Sequence, residues 1–181
     1  MSNNIPQYLP TTGDLVIASV QNSGADSFNC LLTPNTPYAT LPTLAFEGAT
    51  RKTRPQLPPN TLVYARIVSS GKDSSPELTC VEPSTGKSDG LGPVKGGMVF
   101  KISPGMARRL LAGSKGGITF PTTLGEKVGF EITVGRNGIL HVDGGTVSAT
   151  LAIGRALQEI DEQALGEKAQ KKLAERVLKS L

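Results

Sequence analysis

The 181-residue sequence has no tryptophan, one histidine and two cysteines, and five Phe and three Tyr are its only aromatic residues. With so few rings, any core has to be aliphatic. A single histidine, His141, rules out a multi-histidine centre, and neither Cys30 nor Cys80 stands in the spacing of a zinc site. Both cysteines fall in strand-like runs, where packed, reduced thiols of a cytosolic or nuclear protein are expected; a Cys30–Cys80 disulfide is the alternative. A Walker-type phosphate loop and a dinucleotide fingerprint are missing. Asp73, Glu77 and Asp89 sit near loops with no second acidic cluster to complete a metal pair. The sequence therefore points away from an enzyme, and no catalytic residue, metal or cofactor is expected. No apolar run reaches membrane-spanning length, so no membrane partner is expected either. Met1-Ser-Asn-Asn-Ile-Pro6 has neither the basic nor the apolar part of a secretory leader.

The charge that is present is unevenly placed. Residues 1–96 carry seven Lys/Arg against seven Asp/Glu, and residues 97–181 carry twelve against eight. A mildly basic second half fits a polyanion partner and fits an ordinary solvated surface equally well.

Hydrophobic periodicity divides the chain in two. Residues 1–12 are polar with two prolines and read as a linker or a truncated N-terminal region. Alternating or short apolar runs at 13–20, 27–32, 38–44, 61–69 and 77–82 predict five strands, with a long Pro-rich loop between the third and fourth. That pattern predicts a small barrel of the OB type over residues 13–83. Residues 84–97, rich in Ser, Gly, Asp and Lys, read as a linker. From 98 to 181 the pattern is α+β. A strand at 98–102 comes first, then a helix with Ser103 as N-cap, Pro104 at its first position and Gly113 at C′. Residues 114–126 read mostly as loop. A helix over 146–160 carries Val147, Leu151, Gly154 and Leu157 on one side, with Gly154 marking a close approach. A last helix over 164–181 carries Glu167/Lys171 and Glu175/Lys179 as i, i+4 pairs.

Between these helices lies the strongest local signal, Phe130-Glu-Ile-Thr-Val-Gly-Arg-Asn-Gly-Ile-Leu-His-Val142. Strand-like alternation on both sides of Asn137-Gly138 predicts a hairpin with a type I′ turn, both central residues at positive φ. In that register Ile139 and His141 share the apolar face of Ile132 and Val134, making His141 a packed residue; a slip by one inverts the faces. The stretch also spells a GxxG, Gly135-Arg136-Asn137-Gly138. A GxxG clamps single-stranded nucleic acid where it joins two helices. Here both flanks are strands, so a structural turn is expected. A second GxxG, Gly113-Ser-Lys115-Gly116, follows a helix and admits either a phosphate contact at Lys115 or a plain helix cap.

Oligonucleotide binding is the chemistry best supported by these residues. OB barrels bind single strands through aromatic stacking and basic side chains. The candidates are Phe28 and Tyr64, each either a stacking platform or barrel core; Arg66 beside Tyr64; Arg51, Lys52 and Arg54 in the long loop, fitting phosphate or protein contact; and Lys72 in the 70–76 turn.

Phe46-Glu-Gly-Ala-Thr-Arg-Lys-Thr-Arg-Pro55, Leu62-Val-Tyr-Ala-Arg66 and the Gly-Arg-Asn-Gly hairpin together closely resemble the S1/KH cap subunits of the eukaryotic RNA exosome, of the ribosomal-RNA-processing type. The resemblance runs from about Tyr8 to the C-terminus. It implies an S1-type OB barrel followed by a divergent KH domain, without catalytic activity, seated on a ring of phosphorolytic-type subunits beside other cap subunits. It implies help in guiding RNA 3′ ends to a separate nuclease for rRNA processing and RNA decay, in nucleus and nucleolus and also in cytoplasm. In the family the Gly-x-Asn-Gly stretch is held to lie buried between the S1 and KH domains. Three departures stand out: the family's small β-rich N-terminal domain is mostly missing, which reads as truncation; the family commonly has Trp where this chain has His141; and Gly113–Gly116 is not a family feature. A freestanding single-stranded RNA-binding protein and a purely structural adaptor are the alternatives.

Overall fold

The computed structural model describes residues 8–34, 36–71 and 74–181. They form two compact units, the first comprising the chain up to Lys95 together with Gly135–Asn137, the second Gly96–Val134 and Gly138–Leu181.

In the first unit β1 (Leu15–Ser23), β2 (Ser27–Leu31), β3 (Ala39–Pro42), β4 (Leu62–Gly71) and β5 (Ser74–Thr79) follow the spatial order β1-β2-β3-β5-β4, and β1 also pairs with β4. That last pairing, Leu15↔Arg66 through Ser19↔Leu62, closes a five-stranded barrel. β4 shows why the sequence folds this way: Val63, Ala65 and Ile67 are buried, while Leu62, Tyr64 and Arg66 between them are half-buried. The period of two sends one set inward. The core is aliphatic, as the scarcity of rings requires: Val16, Ala18, Val20, Leu41, Val63, Ile67 and Leu78 surround Cys30 and Cys80. The span read as linker is not all linker, because Gly92–Val94 forms β6 and pairs with Leu62–Tyr64 of β4. β5 also begins three residues earlier than the apolar run suggested. Its first residue, Ser74, pairs with Gly71 of β4.

The second unit runs β7 (Met98–Lys101), α1 (Pro104–Leu111), a 3₁₀ turn (Gly113–Gly116), α2 (Phe120–Gly125), β8 (Glu131–Gly135), β9 (Ile139–Asp143), α3 (Val147–Gln163) and α4 (Glu167–Ser180). The sheet order is β7-β9-β8. Met106, Ala107, Phe120, Leu124, Ile153, Leu157, Ile160, Leu173 and Val177 from the helices share one core with Val134, Leu140 and Val142. Ser103 caps α1 by accepting from Met106 N, as its sequence position indicated. The Asp161 carboxylate holds that cap in turn, accepting from Ser103 N at 2.7 Å and Ser103 Oγ at 2.6 Å. Gly154 lies directly against the Phe100 ring, which a Cβ there would overlap.

Three expectations are corrected here. Val147 is 70% exposed and does not belong to the buried face of α3. Glu167/Lys171 and Glu175/Lys179 do not close; α4 is instead paired to α3 by Arg176 and Glu159 at 2.9 Å. Residues 120–125, read as loop, are helical. Phe120 and Leu124 bury an i, i+4 pair and Pro121 tolerates the first turn, but the helix has no side-chain cap of its own. The Gln170 side chain supplies it from α4, its Oε1 accepting from Thr119 N at 2.8 Å and Phe120 N at 3.1 Å. Its Nε2 donates to Gly117 O and Leu165 O, both at 3.0 Å. Tertiary hydrogen bonding thus satisfies helix-end amides that the local sequence leaves open.

Candidate nucleic-acid interface

The barrel sorts its candidates by what each side chain already touches. Phe28 is 3% exposed and sits edge-on to Phe46, with centroids 6.3 Å apart and an 85° interplanar angle. It is a core residue, so the stacking role is withdrawn: no base reaches a ring that faces the barrel interior. Tyr64 is half-buried on the outward side of β4, and burial pushes its phenol pKa up. Arg66 beside it is engaged, donating from Nε and Nη2 to Glu82 Oε1 at 2.8 and 2.6 Å and from Nη1 to Gly13 O. A guanidinium that is already ion-paired and carbonyl-bonded has little left to offer a phosphate. Lys72 lies outside the described residues.

The long loop behaves differently. Thr50 Oγ1 accepts from Lys52 N and Thr53 N, folding the loop into a turn that displays Arg51, Lys52 and Arg54 to solvent. Arg54 donates to Ala25 O and fastens the turn to the β1–β2 connection. Arg51 and Lys52 have no acidic partner among the described residues. The turn is pinned and its two outermost charges are free, an arrangement suited to phosphate oxygens.

The two GxxG stretches have opposite fates. Gly135–Gly138 is a turn, but not the type I′ turn predicted. β8 ends at Gly135 and β9 begins at Ile139, leaving a three-residue loop in which Gly138 has φ +81° and Asn137 is not in the left-handed region. Three-residue hairpin loops take this form, ending on a left-handed glycine. The change of loop length changes the faces: Leu140 and Val142 point into the core with Val134, and His141 points the other way. His141 is still packed, 4% exposed, with Nε2 donating to Gly96 O at 2.6 Å.

Asn137 explains the turn. Its Oδ1 accepts from Ile17 N at 3.1 Å, and its Nδ2 donates to Ile17 O at 2.8 Å and Leu32 O at 2.7 Å. Arg136 N donates to Leu15 O at 2.6 Å. These bonds lie within the first unit and occupy the backbone of β1 just before β2 takes up the pairing at Ser19. A side-chain amide does there what a further strand residue would do, and a clamp whose polar groups are spent in this way has none left for phosphate.

Gly113–Gly116 instead joins two helices. Gly113, φ +63°, ends α1 in left-handed geometry, and a Cβ at Gly116 would overlap the Arg109 carbonyl. Both glycines are thus accounted for by the turn. Lys115 stays exposed and unpaired among the described residues. Arg108 and Arg109 stand one turn away on α1; Arg109 Nε donates to Gly116 O at 2.8 Å, steadying the loop. The sequence places these two arginines off the apolar stripe of α1, with nothing local to mark them as part of a site. The sequence reading also passed over Tyr38, 45% exposed before β3, where the solvent-facing ring of the barrel is found rather than at Phe28. Its place beside Pro37 at a strand start was the available signal.

Other reactive groups are quiescent. Burial pushes the Cys30 and Cys80 thiols up to about 12, so neither is a thiolate near neutral pH, and both are free. Among the described residues no group of three or more His, Cys, Asp or Glu is placed to hold a metal ion, and no helix is long and apolar enough to cross a membrane.

A closed five-stranded barrel followed by a β-α-α-β-β-α-α unit with GxxG between its first two helices is an S1 domain followed by a KH domain. Residues 8–92 match the family model for the S1 domain of exosome complex component RRP40, and residues 97–148 match a KH domain model. The chain is 36% identical over 156 residues to exosome complex component rrp40 of Schizosaccharomyces pombe, covering 86% of this chain and 63% of that protein. It is 33% identical over 161 residues to RRP40 of Drosophila melanogaster, covering 89% and 67%. The chain belongs to the RRP40 family of exosome components, and it spans about two thirds of the length of these relatives. A solved structure described as an exosome complex RNA-binding protein superposes with a TM-score of 0.75 at 26% identity, covering 96% of this chain and 97% of that one.

Proposed function

We propose that this chain is a non-catalytic RNA-binding cap subunit of the RNA exosome that helps guide RNA 3′ ends into the complex for rRNA processing and RNA decay, in nucleus and nucleolus and also in cytoplasm. The observation that carries the reading is that each of the two folds presents a pinned loop with unneutralised cations: Arg51 and Lys52 in the S1 barrel, Lys115 with Arg108 in the KH unit. Membership of the RRP40 family supports the exosome assignment, with phosphorolytic-type ring subunits and other cap subunits as partners. Contacts of this kind are made to phosphate, so binding by the chain alone is at best about micromolar at low salt and falls steeply as salt rises.

Residue-mapped RNA crosslinking, on the chain alone and in its assembly, tests the reading. Crosslinks at 51–54 and 108–115, with co-purifying ring subunits, are the expected result. An intact assembly without crosslinks would leave a structural adaptor. The non-catalytic part is tested by nuclease and phosphorolysis assays on repurified protein; turnover that survives repurification would overturn it.

A further inference from the structure

We infer that the solvent face of α4 is a second RNA-phosphate surface, a lysine ladder that takes the strand beyond the α1–α2 loop. The inference rests on the RNA-binding reading above and adds a site to it. Lys168, Lys171, Lys172 and Lys179 are all exposed, and none is ion-paired among the described residues. Glu167 and Glu175 stand four residues ahead of Lys171 and Lys179, yet neither pair closes; the α4 cation that is paired is Arg176. At about 100° per residue, Lys168, Lys172 and Lys179 fall within about 40° of one another, with Glu175 as the one carboxylate in that sector, opposite the buried Gln170, Leu173 and Val177. From Lys168 to Lys179 the helix rises about 16 Å, long enough to follow several phosphates.

The ladder is held rigidly. Gln170, fully buried, makes hydrogen bonds to Thr119, Phe120, Gly117 and Leu165, and Arg176 ties the far half of α4 to Glu159 on α3. The bond from Gln170 to Gly117 O also sets the first turns of α4 beside the loop that displays Lys115. A polyanion fits this face better than an acidic protein does. Protein interfaces draw their energy from buried aromatic or aliphatic anchors, and between Lys168 and Lys179 the face offers no exposed large apolar side chain. Charge alone is what a phosphate backbone needs.

The test is the full chain with Lys168→Gln, Lys172→Gln and Lys179→Gln together. Binding to a uridine 20-mer is followed by fluorescence anisotropy across a salt series, with thermal melting in parallel. The slope of log K against log salt should shrink by about 2, at roughly 0.7 for each lost contact on a single strand, with the melting temperature unchanged. The matching Lys→Arg triple should retain the wild-type slope. A wild type that binds RNA and a Gln triple with the same slope would overturn the inference while leaving the RNA-binding reading intact. Loss of co-purifying exosome subunits at an unchanged RNA slope would also overturn it, making the face a protein contact. A wild type with no salt-dependent RNA binding would instead sink the RNA-binding reading, and this surface with it.

Discussion

Gly135–Gly138 and Gly113–Gly116 share a four-residue pattern and almost nothing else. In the first, the third residue is an asparagine whose amide makes three hydrogen bonds, two to Ile17 of β1 and one to Leu32 just past β2, and the turn is consumed by the fold. In the second, the third residue is a lysine pointing to solvent, and the polar support comes from outside the loop, from Arg109 on one flank and Gln170 on the other. The glycines serve geometry in both. What decides whether such a turn can meet a ligand is whether its remaining polar groups already have partners.

The sharpest way to break this comparison is Asn137→Ala. It leaves Ile17 N, Ile17 O and Leu32 O without their partner, at about 1–3 kcal/mol for each buried group, so a loss of at least roughly 3 kcal/mol is expected in urea unfolding. A loss under about 1 kcal/mol would show that the amide is dispensable and the turn is free for other work. Gln170→Leu, the counterpart in the second unit, should cost a similar amount by uncapping α2. Hydrogen exchange would then rise first at Phe120–Gly125, and protection left unchanged there would contradict the brace.

Gly138→Val comes next. Left-handed geometry costs about 1–2 kcal/mol for an ordinary residue, and the new Cβ would also stand 2.7 Å from Ile102 O. A total of about 2–3 kcal/mol is expected by the same unfolding measurement, and a neutral result would refute the turn as described. Lys115→Gln should leave stability untouched and lower the RNA salt slope by about 0.7; an unchanged slope would remove the loop from the interface. The smallest effect belongs to Arg136→Ala, under about 0.5 kcal/mol with RNA affinity as in the wild type. Several-fold weaker RNA binding at native melting temperature would reverse the comparison, assigning the phosphate contact to the hairpin.

Much of this was legible in the chain itself. The apolar run at 61–69 predicted β4, because a strand buried on one face has a period of two that is set along the chain. Ser103, Pro104 and Gly113 marked both ends of α1, since capping depends on neighbours along the chain. Gly154 announced a close approach, which the Phe100 ring makes. The cation cluster at Arg51–Arg54 could be named as a candidate because exposed charge in a Pro-rich loop has nowhere else to go.

Tertiary structure decided what depends on partners distant in sequence. Phe28 stood between stacking platform and barrel core, and Arg66 looked available, until the fold gave one to the core and the other to Glu82. Gln170 made a helix of residues that read as loop, from fifty positions away. The hairpin existed in the sequence, but its loop length and the side of His141 did not. A register is chosen by which set of side chains the core accepts, and one residue of slip exchanges the sets. Local spacing determined the elements because backbone geometry is local; which polar groups stayed free was settled by three-dimensional hydrogen bonding, and that settlement defines the candidate interface.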